Sequence, residues 1–326
     1  MGLATLTKRL AAICALGAFG MSAAAAQDYP KRAVQIIVPY AAGGTTDILA
    51  RTVGQKLSML LGQPFLIINK PGAGGSVGTE FAAKQPADGY TLVMAVESSH
   101  AVNPNVYEQR RYDPIKDFAP ISNLANVPNV LVVTADFPAK DVAGLIAELK
   151  AKPGVYNFGS SGIGGLSHLN GELFQSLTKT KMEHVPFRGL GPALTELISG
   201  RIAIVLDNIP SSAPFIEAGS IRALAVAAPA RLKMLPNVPT YAEAGLPGMN
   251  NQSWFGIAAP AGTPPEIMTK LNESVRAALA DPGVVTAIEK LGASPAPMSS
   301  EDFGKLMVDQ DKAWKKIVED IGFKKM

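Results

Sequence analysis

Two short stretches of glycine, serine and threonine have the composition of an anion site. In the first, Ala41–Gly44 is followed by Thr45, Thr46 and Asp47. Small residues allow another molecule to approach the backbone, and threonine is favoured where a helix begins. The free N–H groups and the dipole of a helix N-terminus attract negative charge. The stretch therefore predicts an anion site made of neutral donors, although an ordinary turn between a strand and a helix has the same composition.

The second stretch, Gly159–Gly165, reads GSSGIGG and also precedes a predicted helix. Ser160, Ser161 and Gly162 offer hydroxyl and backbone N–H donors there. Four more small-residue loops follow predicted strands, namely Lys70–Gly75, Glu97–His100, Phe187–Gly191 and Asp207–Ser211. We expect a β-branched residue at Gly44 both to block a ligand and to strain the first loop.

Three ionisable residues near these loops have two interpretations each. His168 lies a few residues into the helix after the second stretch, where it either contacts a ligand or is a half-buried helix residue. Arg188 is the only arginine in the six loops, and it either pairs with an anion or is a solvated surface residue. Asp207 ends an apolar strand, so it either faces the ligand or holds backbone N–H groups.

Motifs of catalysis and cofactor binding are incomplete. Gly159–Ile163 reads GSSGI, so the nucleophile motif G-x-S-x-G fails at its last position. Both candidate dinucleotide fingerprints lack the third glycine, with Val77 and Ser167 in its place, and no phosphate-binding P-loop motif occurs. Three scattered histidines, with the one cysteine near the N-terminus, do not resemble a metal site. We therefore predict no catalytic residue, no cofactor and no metal, while a secreted hydrolase remains the alternative from another class.

Short apolar, β-branched runs alternate with helical patterns along the chain, which predicts parallel α/β sheets flanked by helices. Ligands bind beyond the carboxyl ends of such strands, so three loops from each half of the chain could face one another across a cleft. The predicted strands are Val34–Val38, Phe65–Asn69, Thr91–Val96, Val127–Thr134, Val155–Phe158, Glu183–Pro186, Ile202–Leu206, Ile221–Ala227 and Trp254–Ala259.

The first 26 residues have the pattern of a cleavable secretory signal. Lys8 and Arg9 precede the apolar run Leu10–Phe19, and three alanines end at Ala26. The run is too short to cross a membrane. We predict export to the periplasm and cleavage after Ala26, which leaves 300 residues without cysteine and dependent on their apolar core.

The charge of the mature chain gives no support for a nucleic-acid partner. The full chain has 30 basic and 27 acidic residues. Removal of Lys8 and Arg9 leaves 28 basic residues and a net charge of +1, whereas nucleic-acid binding needs a concentrated basic surface.

Several motifs in a fixed order give the chain a family resemblance. These motifs are Pro39–Asp47, Asn69–Gly78, Asp88–Thr91, Tyr112–Phe118, Tyr156–His168, His184–Gly189, Asp207–Ser211, Leu235–Pro247 and Trp254–Pro260. With them, the chain resembles the Bug family, the extracytoplasmic solute-binding receptors of tripartite tricarboxylate transporters. The resemblance covers about Tyr29 to Phe323.

The resemblance implies a two-domain periplasmic binding protein of the Venus-flytrap type, similar to type II, with the ligand between the domains. Strand-like crossings near residues 127–134 and 253–259 would insert one domain into the other. We therefore predict a first domain of residues 27–126 and 252–326 and a second domain of residues 127–251. Both chain ends then belong to the first domain.

The resemblance also implies which residues bind. Gly43, Gly44, Thr45 and Thr46, with Ser160, Ser161 and Gly162, would hold a carboxylate through N–H groups and hydroxyls. Tyr40 matches a position that is usually aromatic and would wall the pocket. Glu97 departs from the small neutral residues that are usual before His100, and an acid there would disfavour a second carboxylate or attract an amine. The predicted ligand-binding set is Tyr40, Gly43, Gly44, Thr45, Thr46, Asp47, Ser98, Ser99, His100, Ser160, Ser161, Gly162, His168, Arg188, Asp207 and Asn208.

The leading hypothesis is a monomeric periplasmic receptor that captures a small organic acid or acidic amino acid and delivers it to integral membrane transporter subunits. The membrane transporter subunits are a partner that the family resemblance implies. An alternative with the same fold is a ligand sensor that signals to a membrane partner. The sequence does not separate the two.

Overall fold

The computed structural model describes residues 29–326, so the predicted signal segment and its cleavage site lie outside the described residues. Two β-sheets organise the described chain, one of six strands and one of five. Helices cover the sheets. We call the part built on the six-stranded sheet the first lobe and the part built on the five-stranded sheet the second lobe.

The first lobe takes its strands from both ends of the described chain, in the spatial order β11-β4-β10-β3-β1-β2. Strand β1 pairs in parallel with β2 and β3, whereas β10 pairs antiparallel with β3 and β4. These strands are β1 Val34–Val38, β2 Phe65–Asn69, β3 Thr91–Val96, β4 Phe118–Val127, β10 Ser253–Pro260 and β11 Ser294–Pro295.

The second lobe takes all its strands from the middle of the chain, in the order β7-β6-β8-β5-β9. Strand β6 pairs in parallel with β7 and β8, whereas β5 pairs antiparallel with β8 and β9. These strands are β5 Asn129–Thr134, β6 Asn157–Ser160, β7 Glu183–Pro186, β8 Ile204–Asn208 and β9 Ile221–Val226.

The α-helices of the described chain connect the parallel strands and close the C-terminal end. They are α1 Thr45–Leu61, α2 Ser76–Ala83, α3 Asn103–Val106, α4 Val142–Ala151, α5 Leu166–Thr178, α6 Leu190–Ile198, α7 Ile209–Glu217, α8 Pro265–Ala280, α9 Pro282–Lys290 and α10 Ser300–Asp320. Within residues 29–326, no helix is both long and apolar enough to span a lipid bilayer.

Each sheet buries both faces, and strand alternation divides the core accordingly. In β1, Ile36 packs into the cluster on one face and Ile37 into the cluster on the other. In β5, Leu131 and Val132 separate in the same way. Continuous apolar runs are the expected pattern for strands covered on both sides, which is why the sequence shows them so clearly.

The antiparallel strands are the main difference from the predicted parallel sheets. β5 and β10 both begin beside the cleft between the lobes, since Asn129 and Ser253 line it. A strand that enters its lobe from the cleft must run opposite to strands whose carboxyl ends face the cleft. The predicted single strand Val127–Thr134 is therefore two strands in different sheets, β4 ending at Val127 and β5 starting at Asn129.

Two further boundaries differ from the prediction. Glu97–His100, expected to be a loop, is helical, because β3 leads directly into a π-helix at Ser98–Val102. β8 extends to Asn208 and places Asp207 inside the strand instead of in a following loop. The helix α7 begins at the very next residue, so no loop separates them.

Candidate functional site

A cavity lies between the two lobes, at the carboxyl ends of the parallel strands. It holds about 510 Å³ of space between protein atoms, part of which is open to solvent. Seven residues of the predicted set line it, namely Tyr40, Gly44, Thr45, Thr46, Ser98, Ser161 and Asn208. Both lobes therefore contribute to one site, as expected for a cleft at strand ends.

The first-lobe wall is the start of helix α1. Gly44 is its N-cap in extended conformation, with φ −86° and ψ 166°, and it provides no side-chain hydrogen bond. The first N–H groups of a helix have no acceptor within the helix, so those of Thr45 and Thr46 are available to an anion. Leu49, Val53 and Leu57 bury the opposite face of the helix and fix its position on the sheet.

Asp47 supports this wall from behind and does not line the cavity. Arg51 donates two hydrogen bonds of 2.9 Å to its carboxylate, Asn69 Nδ2 donates at 2.9 Å and the Gly43 N–H at 3.1 Å. Burial raises the pKa of Asp47, but the hydrogen bonds from Arg51, Asn69 and Gly43 outweigh it and lower the pKa below its ordinary value. Asn69 also donates to the Tyr40 carbonyl, so the network fixes both ends of the loop.

The glycines of this loop have different roles. Gly43 is exposed and has φ +85°, a left-handed conformation that favours glycine. Gly44 has an ordinary φ, and a Cβ there would be 3.8 Å from the Gly191 N atom and 3.9 Å from the Leu190 N atom. The expectation that substitution of Gly44 strains the backbone is therefore wrong. Strain belongs to Gly43, whereas a Cβ on Gly44 would make ordinary contacts and only a larger side chain there would crowd the other lobe.

The second-lobe wall is the loop before helix α5. The Ser161 N–H donates to Ser167 Oγ at 2.8 Å, and the two hydroxyl groups are 3.0 Å apart. The N–H of Leu166, the first residue of α5, donates across the cleft to Ser98 Oγ at 2.9 Å. Ser98 thus joins the two walls, and the hydroxyls of Ser161 and Ser167 present neutral donors to the cavity.

Ser160, Gly162 and His168 lie behind this wall. Ser160 Oγ is 2.6 Å from His184 Nε2 and accepts from the Gly162 N–H. The ring of His168 stacks on that of His184 with 3.8 Å between centroids, and its Nδ1 accepts from the Gly164 N–H. Burial lowers the pKa of His168 to about 3 and that of His184 to about 4, so both rings are neutral and shape the loop.

Asp207 and Asn208 end β8 on the same side of the cleft. Both Asp207 oxygens accept from Ser211 Oγ, at 2.9 and 2.8 Å, and Ser211 Oγ is 3.0 Å from Thr45 Oγ1 in the other lobe. Burial raises the pKa of Asp207 to about 6. The Asn208 amide lines the cavity and donates to Asn129 Oδ1 at 2.6 Å.

Nine residues of the predicted set lie outside the cavity lining. Six of them surround the two walls, as described above. Ser99 and His100 are fully buried, with Ser99 Oγ 2.9 Å from His100 Nδ1. The side chain of Arg188 is exposed on an outer groove beside Ile163. The nine are Gly43, Asp47, Ser99, His100, Ser160, Gly162, His168, Arg188 and Asp207.

Eleven residues of the described lining are outside the predicted ligand-binding set, and among them Glu97 is the one that the sequence marks as an unusual acid before His100. Asn129 and Ser253 are polar residues at the start of otherwise apolar strands, a signal that could have marked them. Trp254 and Phe255 are both buried and next to the cavity. The eleven are Val96, Glu97, Asn129, Leu166, Ser167, Asn170, Leu190, Leu206, Ser253, Trp254 and Phe255.

The cavity suits a small anion held without a buried cation. Its described lining has no lysine, arginine or histidine. Two helix starts and several hydroxyls face it instead, and they gain strength when the cleft closes and water leaves. The described residues contain no group of three or more His, Cys, Asp or Glu side chains that could hold a metal ion.

The lobes also meet directly around the cavity. The Ala41 N–H donates to the Arg188 carbonyl at 2.9 Å, and Tyr107 Oη donates to the Ile163 carbonyl at 3.0 Å. A Cβ on Gly191 would lie 2.6 Å from the Ala42 carbonyl oxygen. These backbone approaches describe a closed cleft.

This arrangement is that of a two-lobed solute-binding receptor of the α/β class. The chain belongs to the tripartite tricarboxylate transporter family receptors, whose family model matches residues 49–323. It is 37% identical to the protein BugT of Bordetella pertussis over 92% of both chains.

Two solved structures share the fold. A protein of R. palustris solved with adipate is 40% identical, with a TM-score of 0.87 over 90% of this chain and 99% of that one. The periplasmic binding protein BugD is 30% identical, with a TM-score of 0.89 over 91% of this chain and all of the other. The family is thus one of transporter receptors, and the neighbour BugD is a periplasmic binding protein. The predicted family and fold are confirmed.

Proposed function

We propose that this protein is an extracytoplasmic receptor that captures a small carboxylate in the cleft between its lobes and delivers it to a tripartite tricarboxylate-type membrane transporter. The observation that carries the proposal is the cavity between the starts of helices α1 and α5, which offers neutral donors and no basic side chain in its described lining.

The binding step follows from this geometry. The ligand carboxylate lies against the first-turn N–H groups of Thr45 and Thr46 and the hydroxyls of Ser161 and Ser167. Tyr40 walls the site, with its hydroxyl donated to the Gly74 carbonyl at 3.1 Å. A relative that was solved with adipate, at 40% identity, supports a small organic acid as the ligand class.

The rest of the predicted set acts from behind the lining. Asp47 and Asn69 fix the first loop, and the stacked pair of His168 and His184 fixes the second. Asp207 reaches Thr45 through Ser211 and so couples the two lobes. We expect no catalysis, because no serine of the cavity lining is paired with a histidine: the Ser160–His184 pair lies behind the wall.

A thermal-shift screen tests the ligand class. Small mono- and dicarboxylates and amino acids are added to the purified mature chain, with diamines of equal length as controls. A ligand that binds only the folded state raises the melting temperature in proportion to its concentration over Kd. We expect stabilisation by at least one acid and none by the diamines. A flat profile for all acids would overturn the proposal.

Uptake measurements test delivery. Cells that lack this protein, supplied with the radiolabelled acid found in the screen, should lose its accumulation and regain it with the wild-type gene. Normal uptake together with a lost transcriptional or motility response would indicate the sensor instead.

A further inference from the structure

Glu97 brings a carboxylic acid into the lining of the cavity. Glu97 follows β3, and its side chain is 5% exposed. Among the described lining residues, Glu97 is the only one with a charged side chain type. None of the ion pairs found within residues 29–326 includes it.

The contacts of Glu97 hold it in place without neutralising it. Trp314 Nε1, on helix α10, donates to Glu97 Oε1 at 2.7 Å. Ser253 and the backbone of Trp254, both in β10, lie beside the carboxyl group and lower its pKa. All these neighbours are uncharged, and Tyr40 is the one other titratable residue of the described lining. A buried anion with donors but no cation favours a cation in the adjoining cavity.

The cavity therefore has two parts that differ in the charge they favour. The helix starts of α1 and α5 favour an anion, whereas Glu97 repels one. A dicarboxylate would place its second carboxylate in a cavity that already contains an acid, out of reach of any basic lining residue. A ligand with one negative and one positive end leaves the closed cleft close to neutral.

We propose that Glu97 selects a ligand with one carboxylate and, at its other end, a cationic ammonium group that pairs with the Glu97 carboxylate. The inference rests on the proposed function and specifies its ligand class. Trp314 positions the Glu97 carboxyl group, and the helix starts bind the carboxylate end of the ligand. Burial raises the pKa of Glu97 to about 7, against the pull of its hydrogen bonds, so the carboxylate form predominates above that pH and an ammonium partner favours it further.

Titration calorimetry at pH 8 with length-matched pairs tests the selection. The pairs are succinate with 4-aminobutyrate, glutarate with 5-aminopentanoate, and adipate with 6-aminohexanoate. In each pair a carboxylate is replaced by an ammonium group at the same position along the chain. We expect the wild type to bind the amino acid of its best-bound pair at least tenfold more tightly than the diacid.

Glu97→Gln removes the charge and keeps hydrogen-bonding capacity. We expect it to abolish or reverse the preference in the best-bound pair, a change that a merely structural role would not produce. Glu217→Gln, which removes an exposed acid outside the cavity lining, should leave the preference intact. Equal ratios in the wild type and Glu97→Gln would overturn the inference.

A pH series on the wild type keeps the test decisive if Glu97→Gln does not fold. Between pH 8 and pH 5.5 the preference for the amino acid should fall at least fivefold, because protonated Glu97 no longer pairs with ammonium. A constant ratio would contradict the selection. If acids bind but the ratio of the affinities for amino acid and diacid changes neither in Glu97→Gln nor with pH, only this inference fails. If no acid binds at all, the proposed function fails with it.

Discussion

At the scale of single residues, the site relies on hydroxyls and backbone N–H groups whose positions are set by buried neighbours. Ser161 shows this most directly. Its hydroxyl lies in the cavity, while its N–H is already bonded to Ser167 Oγ. The side chain can therefore be truncated without disturbing the backbone of the loop.

We expect Ser161→Ala to weaken carboxylate binding by about 0.5–1.5 kcal/mol if the hydroxyl makes a neutral hydrogen bond, and by more if it donates to the carboxylate. Titration calorimetry with the best acid from the screen measures the loss. Ser199→Ala, at an exposed helix end outside the lining, is the matched control. Wild-type affinity in a folded Ser161→Ala protein would mean that the carboxylate binds elsewhere.

His100, buried behind the first wall, should contribute to the loss of stability in acid. Burial, in contact with the ring of Phe118, lowers the pKa of His100 to about 3. The folded state therefore binds fewer protons than the unfolded state below the ordinary pKa of 6.5, and stability is lost as the pH falls from about 6.5 toward 3. We expect His100→Phe to lose less free energy of unfolding between pH 7 and pH 4 than the wild type, by up to about 3 kcal/mol.

Urea unfolding at several pH values measures this difference. Glu97 and Asp207 have raised pKa values and act in the opposite direction, since their protonated forms are favoured by folding. Both proteins retain them, so the difference between the two curves reports His100. Parallel curves for the wild type and His100→Phe would contradict the assignment.

At the scale of elements, the loop before α1 has to reverse direction and leave the helix start open. Gly43 makes the turn with positive φ, and Gly44 makes the close approach to helix α6. Neither requirement can be met by a bulky residue, for different physical reasons. Substitutions at the two positions should therefore affect different measurements.

We expect Gly43→Ala to destabilise the protein by about 1–2 kcal/mol, the cost of a left-handed conformation in a residue with a Cβ. Gly44→Val should cost about 0.5–1 kcal/mol of stability, because valine is a poorer N-cap than glycine. It should also weaken ligand binding at least tenfold, because its methyl groups extend beyond the Cβ toward Leu190 and Gly191. Urea unfolding and titration calorimetry on both variants decide it. The reverse pattern would show that the two glycines have been assigned the wrong roles.

At the scale of the whole molecule, the chain passes between the lobes twice, at Pro128 and near Asn251. The first lobe collects the strands before and after the second lobe, and the C-terminal helix α10 packs against the first sheet. We propose that these lobes are the predicted domains, residues 27–126 with 252–326 and residues 127–251. Closure would then be a rotation about the two crossings.

Gly191 offers a clean test of closure. It has an ordinary backbone conformation in the first turn of α6, yet a Cβ there would lie 2.6 Å from the Ala42 carbonyl in the other lobe. We expect Gly191→Ala to fold normally, to bind ligand at least tenfold more weakly and to show a larger radius of gyration with ligand by small-angle X-ray scattering. Gly248→Ala, whose Cβ has room, is the control. Unchanged affinity in Gly191→Ala would contradict closure at this contact.

Export is also a property of the whole chain. Mass spectrometry of the periplasmic protein should find an N-terminus at Gln27, as the charged, apolar and small-residue pattern before it predicts. An intact Met1 on the periplasmic form would refute cleavage.

The sequence by itself determined the family, the alternation of strands and helices, and the two helix starts that could hold an anion. These are local properties: Val34–Val38 and Thr91–Val96 are strands because their residues are apolar and β-branched, and Gly44 with Thr45 begins a helix because of capping chemistry. The structure has each of these elements at the predicted place.

Only the tertiary structure decided which residues reach the cavity. The carboxylates of Asp47 and Asp207 are occupied by hydrogen-bond partners outside the cavity, and the rings of His100 and His168 are buried behind the walls. The direction of each side chain depends on neighbours that are distant in the sequence. Asn129 and Ser253 enter the site for the same reason, since the crossings between lobes bring them there. The position of Glu97 before His100 already marked it as unusual, but its contact with Trp314, 217 residues away, is something that no local pattern could predict.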